Sequence, residues 1–284
     1  MKKLETLVPD IYAQLDQLSL GEKLNISTEE LDLTAANLRE AIEHWTTPQN
    51  RNEFSLRMSN IGKPLRQLWY DSRSTATQHP HSASTQIKFL YGHICEQLVL
   101  MLARVAGHSV TDEQATVEVD GIKGHMDSRI DGEVVDVKTA SSFAFKKFTK
   151  ETLPENDNYG YLTQLSGYEA SGDTENGGFF VMNKESGELC LYIPDDMDKP
   201  HIETKIKQVR DALSLDTPPD LCYNPVPQGV KGNMKIASGC KWCAHKFECF
   251  RDSNDGDGLR TFRYSNGYEY FTEVEVLPKV DEVL

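Results

Sequence analysis

Between Gly124 and Thr139 the chain reads GHMDSRIDGEVVDVKT, and this run narrows the possible folds more than any other. Successive side chains on a strand face opposite ways, so EVVDVKT turns Asp136 and Lys138 to one face and sends Val135 and Val137 into a core. The pair Asp131-Gly132 favours a tight hairpin turn, which lays the segment carrying Asp127 beside the segment carrying Asp136. Two carboxylates and one lysine are thereby gathered at neighbouring strands.

The flanking segments set this pair of strands in a larger pattern. ATVEV and the turn pair Asp120-Gly121 add a strand upstream, so ATVEV, GHMDSRI and EVVDVKT read as a meander of about three strands. Before them, IKFLYGHICEQLVLMLARV (Ile87 to Val105) has a long apolar face without proline, and Gly107 ends that helix; Glu96 lies in its middle. After them come a helix over 160–170, the strands GGFFVMN and ELCLYIP, and a polar helix from Lys199 to Leu213. This order implies an α/β fold with a mixed central sheet flanked by helices.

Residues 1–50 read as a helical N-terminal region broken near Leu20-Gly21, with STEE at 27–30 as a capping box opened by Ser27 or Thr28. Residues 51–215 form the main domain on this reading. Residues 216–284 form a small C-terminal element: a proline- and glycine-rich stretch, a cysteine cluster and an acidic, partly aromatic tail. A last hairpin and a partly ordered extension are both compatible with that tail.

With 30 basic against 44 acidic residues and a formal charge of −14, the chain has the wrong sign to hold nucleic acid by bulk electrostatics. Any such partner must be held locally. Basic residues gather at Arg51, Arg57, Lys63, Arg66 and Arg73, and again at Lys146, Lys147 and Lys150. No apolar run approaches a membrane span, and the N-terminus lacks the apolar core of a signal peptide, so a cytoplasmic location is expected, in host cytoplasm if the chain is viral. Six cysteines, three of them between residues 240 and 249, suit a metal site in a reducing compartment better than a disulfide framework.

Hydrolysing a phosphodiester requires a polarised phosphoryl oxygen, a water of lowered pKa and stabilisation of the developing charge. Carboxylates at Asp127 and Asp136 suit Mg2+, or Mn2+, as hard oxygen ligands. The Lys138 ammonium can hold or help deprotonate the attacking water, or neutralise the phosphate. His93 and His125 flank these positions as neighbours rather than ligands, and Thr139, Ser141 and Ser142 either contact a nucleic-acid backbone or cap the strand end.

Taken together, a Gly-x-x-Asp, a turn, a strand ending Asp-Val-Lys and an upstream helical glutamate resemble the RecB-type branch of the PD-(D/E)XK nucleases over roughly residues 55 to 250. The resemblance implies a restriction-endonuclease-like core. It also implies that Glu96, through Gly92 to Glu96 in YGHICE, joins Asp127, Asp136 and the carbonyl of Val137 around magnesium. On the helix after the lysine strand, Gln164 and Tyr168 of YLTQLSGY match the family's Gln-x-x-x-Tyr and read as catalytic, phosphate- or base-positioning groups; Arg66, Lys146 and Lys147 read as DNA contacts.

Cys240, Cys243 and Cys249, spaced C-x2-C-x5-C, resemble the C-terminal cluster of the iron–sulfur nucleases in that branch and its CRISPR-associated relatives. In those proteins the fourth ligand is a cysteine two residues before an arginine; here Arg66 is present but position 64 is proline. Cys95 or Cys222 supplies the missing ligand, or His245 completes a zinc site, or the thiols stay reduced; the sequence leaves all of these open. The resemblance implies a metal-dependent exonuclease acting on DNA ends in phage or recombination and repair processing, with a recombination or replication partner protein. A restriction-type or structure-specific endonuclease and a catalytically silent DNA-binding accessory protein are the alternatives.

Overall fold

The computed structural model describes residues 2–47, 54–74, 82–172 and 174–283; Arg51 of the first basic cluster lies outside them. The elements begin with helices α1 (Leu7–Ser19), α2 (Thr28–Thr46), α3 (Leu65–Arg73) and α4 (Ala83–Val105). Strands β1 (Val110–Thr111), β2 (Thr116–Val119), β3 (Ile122–His125), β4 (Ser128–Ile130) and β5 (Glu133–Ala140) follow, then α5 (Ser142–Thr149) and α6 (Tyr161–Gly172). Next come β6 (Gly178–Asn183), β7 (Leu189–Tyr192), α7 (Ile202–Leu213), β8 (Val226–Pro227) and β9 (Met234–Lys235). The chain ends with the single turns α8 (Ser238–Lys241) and α9 (Lys246–Cys249), then β10 (Arg260–Tyr264), β11 (Gly267–Glu273) and β12 (Glu282–Val283).

These elements divide between two compact units, Met1–Gly62 with Thr75–Lys207, and Lys63–Ser74 with Gln208–Leu284. The first holds a five-stranded sheet in the order β1-β4-β5-β6-β7. Only β5 and β6 run parallel, so the sheet is mixed, as expected. Val135 and Phe180 on its strands pack with Val99, Leu100 and Ala103 of α4 and with Leu7 and Ile11 of α1. The helical start therefore forms part of this core. The Ser27 hydroxyl caps α2 by accepting from the Glu30 N–H at 3.1 Å. Arg104 of α4 then reaches Glu30 and Glu113, each at 2.8 Å, in a largely buried network.

The expected meander is corrected at one point. GHMDSRI is not one strand: β3 stops at His125 and β4 starts at Ser128, leaving Met126 and Asp127 between them. The hairpin β2–β3 stands as its own two-stranded sheet, while β4 pairs with β5 in the main one. Close packing explains the change of partner. A Cβ on Gly124 would lie 2.5 Å from Cβ of Met58 and 3.0 Å from the Tyr168 ring, so the end of β3 is drawn onto Met58 and α6 and cannot continue in the plane of the main sheet. Both hairpin turns carry positive φ at their two central residues, Asp120 and Gly121, Asp131 and Gly132, as the turn pairs predicted. Nearby, Gly62 and Gly160 cross backbone against backbone, where a Cβ on either would overlap the other.

In the second unit the acidic tail resolves as the β10–β11 hairpin, within a sheet ordered β12-β10-β11-β9-β8. Ile236, Cys240 and Phe250 form a small core beneath it. Among the described residues, no helix is long and apolar enough to cross a membrane.

Candidate active site

The first unit brings Glu96, Asp127, Asp136 and Lys138 together. Each is delivered by a different local device. Asp136 and Lys138 sit on β5, two residues apart and therefore on one face; Asp136 is 2% exposed. Asp127 occupies the break between β3 and β4, where its Oδ2 accepts the Val137 N–H at 2.7 Å. That bond ties the first carboxylate to the strand bearing the other two groups. Glu96 comes from mid-α4, and its Oε1 accepts from the Gln114 side-chain amide at 2.8 Å. Gly92, one turn earlier, presents its bare Cα towards Thr139 on β5.

The electrostatics are those of crowded like charges. Burial, and then the charges of Asp136 and Glu96, hold Asp127 well above the usual carboxylate range. Burial also lifts Glu96; the Gln114 hydrogen bond opposes it and the Asp136 charge adds to it, leaving the group at about 7. Burial alone would lower the Lys138 ammonium, but Asp136 and Asp127 outweigh it, so the lysine is held more firmly protonated than in water. Its Nζ lies 2.5 Å from Asp136 Oδ2 and 4.7 Å from the centre of the Tyr161 ring.

Gln164 and Tyr168 of α6 do share one face, and they bond to each other: the Gln164 amide donates to the Tyr168 hydroxyl at 2.8 Å. That hydroxyl donates in turn to the His125 carbonyl at 2.7 Å, two residues before Asp127. Tyr168 is 2% exposed, and burial raises its hydroxyl above the ordinary tyrosine range. His93 lies half-buried on α4, and His125 points its side chain outward. Sequence reasoning missed Gln114 and Tyr161. Gln114 carries no motif at all, whereas Tyr161 stands three residues before Gln164, a spacing that puts both on one helix face.

No protein-family model matches the chain, and no curated protein does. Among solved structures, it is similar to an alkaline exonuclease from Laribacter hongkongensis, at 16% identity over 60% of this chain and 92% of that one, TM-score 0.40. It is also similar to a phage-related exonuclease from Haemophilus somnus, at 13% identity over 57% and 94%, TM-score 0.40.

The donor set suits a hard divalent cation. Three mutually repelling carboxylates face a single ammonium, and the buried Asp136 Oδ2 has no well-aligned hydrogen bond beyond its ion pair with Lys138. Among the described residues, no three His, Cys, Asp or Glu side chains already stand at the spacing of one bound ion. Here Val137 N–H holds Asp127 and Lys138 holds Asp136.

The remaining predicted contacts are dispersed. On α5, Lys146 is exposed, while Lys147 donates to the Asn156 carbonyl at 2.9 Å. Ser141 caps that helix by accepting from the Ala144 N–H, and Ser142 donates to Glu185 at 2.6 Å. In the second unit, Cys240, Cys243 and Cys249 line one hollow together with Cys222 and Arg66, whereas Cys95 is buried on α4 of the first unit. All six cysteines are free.

Proposed function

We propose that this chain is a metal-dependent nuclease of the PD-(D/E)XK type that hydrolyses DNA phosphodiester bonds at Glu96, Asp127, Asp136 and Lys138. The observation that carries this reading is the meeting of three carboxylates and one lysine, with Asp127 anchored on the backbone of the strand that bears Asp136 and Lys138. Glu96, Asp127 and Asp136, with the Val137 carbonyl, would hold magnesium or manganese, which when bound polarises the phosphoryl oxygen and acidifies water.

The side chains divide the rest of the work. The Lys138 ammonium, paired with Asp136 in the metal-free chain, would hold the attacking water or neutralise the phosphate. Tyr168 acts through others: its hydroxyl pins the His125 carbonyl and with it the break that presents Asp127. Lys146 on the exposed face of α5 is the contact offered to the DNA backbone. The motif resemblance favours action at ends, in phage or recombination and repair processing.

The test is incubation of end-labelled linear duplex, single-stranded and closed circular DNA with magnesium, manganese or chelator, beside Lys138→Ala. Metal-dependent loss of linear DNA alone, absent in the variant, is expected. Cleavage of closed circles would make the protein an endonuclease, and equal cleavage by both proteins would remove the assignment.

A further inference from the structure

We propose that Cys222 is the fourth ligand of a [4Fe–4S] cluster held by Cys222, Cys240, Cys243 and Cys249 in the second unit. Nothing in the spacing of the sequence singles out Cys222, which lies 18 residues before Cys240 in a proline-rich stretch. The fold does. The four thiols line one hollow, walled by Tyr70, Leu221, Tyr223 and Phe250.

The sulfurs are met by donors. The backbone N–H groups of Gln67 and Arg66, in the first turn of α3, are directed at Cys222. These N–H groups have no partner within a helix, Pro64 at the cap position offers no side-chain bond, and the helix dipole favours negative charge there. A thiolate from Cys222 thus takes the place beside α3 that a cysteine at position 64 would otherwise fill from the chain itself. The Arg66 Nε–H donates to Cys249 Sγ at 3.0 Å, and the His245 backbone N–H to Cys243. Donors on sulfur orient and stabilise thiolates and tune the metal they hold.

One feature disfavours a mixed Cys–His zinc site. His245, the other candidate ligand, is already engaged, with Nε2 2.7 Å from Asp71 Oδ1 and its ring stacked on Tyr70. The four thiols that line the hollow are the complete ligand set of a cubane, and iron and sulfide content separates it from a four-thiolate zinc site.

Every readout is independent of DNA cleavage, so failure of the nuclease reading leaves this one standing. The full chain, purified anaerobically after iron-replete expression, is expected to carry about four iron and four sulfide ions and the broad visible absorbance of thiolate-bound iron. Cys222→Ser and Cys249→Ser each lose that absorbance; Cys190→Ser and Asp136→Asn keep it. Full iron and an unchanged spectrum in Cys222→Ser would overturn the proposal, as would one zinc per chain without sulfide, or no metal. Should Cys222→Ser fail to fold, differential alkylation of the native chain decides. Cys222 blocked together with Cys240, Cys243 and Cys249 until iron is chelated supports the site, and Cys222 labelled in the loaded protein refutes it.

Discussion

Replacing Glu96 by Gln is expected to stabilise the metal-free protein at alkaline pH, although it removes a charged group from a hydrogen bond. In the folded chain Glu96 keeps its proton up to about 7, against an ordinary 4.5, chiefly because burial penalises the anion. A carboxyl that binds its proton more tightly when folded favours folding fully below 4.5 and loses that contribution as pH rises towards 7. At about 1.4 kcal/mol per pH unit the loss is at most about 3.5 kcal/mol, and solvent reaching this partly exposed side chain reduces it to about 2 kcal/mol. Glutamine is neutral throughout, so the variant escapes the loss. In chelator at pH 8 it should melt roughly 4 to 8 °C above the parent, with the gap closing near pH 5. Magnesium should reverse the order, since binding to the folded state raises the parent's stability and the variant has lost a ligand. Thermal melts across pH, with and without magnesium, read all of this. A variant that melts at or below the parent in chelator at pH 8 would refute the argument that burial keeps Glu96 protonated.

Lys138→Met should lower cleavage by about a hundredfold or more while leaving DNA affinity within a few-fold, as parallel cleavage and gel-shift titrations would show. Tyr168→Phe strands the His125 carbonyl and the Gln164 amide, costing about 1–3 kcal/mol; an unchanged melting temperature would mean that the hydroxyl anchors nothing. Gly124→Ala forces Met58 and the Tyr168 ring apart and should cost about 1–3 kcal/mol, with cleavage falling further than stability because Asp127 lies three residues on.

Much of the fold was legible because its signals are local. The alternation of EVVDVKT, the Asp-Gly turns, the capping serine of α2 and Gly107 after α4 each act within a few residues, and each is found where expected. The break at Met126–Asp127 was not legible, since it depends on Met58, distant in sequence, lying against Gly124 and Gly167. The same limit applies to the sites. Asp136 and Lys138 announce themselves by spacing on one strand, whereas Gln114 reaches Glu96 from a loop and Cys222 reaches its fellow thiols from a proline-rich segment. Contacts of that kind are set by tertiary folding, and no periodicity records them.

The crossing of Gly62 and Gly160 places an unusual restriction on how this chain can vary. A bulky side chain in a core can be offset by trimming its neighbour, but here both partners are bare backbone and neither has anything left to remove. Gly160 is held as well by its φ of +76°, which resists any side chain on its own account. No compensating second change exists, so each position should tolerate glycine alone in a saturation library. The two should also show steep diminishing returns: once either alanine has pushed the segments apart, the other should add little at Gly62 and only its own backbone strain at Gly160. Such a pair is a lock without a matching key, kept by selection against change rather than by co-variation, and so invisible to any search for correlated substitutions.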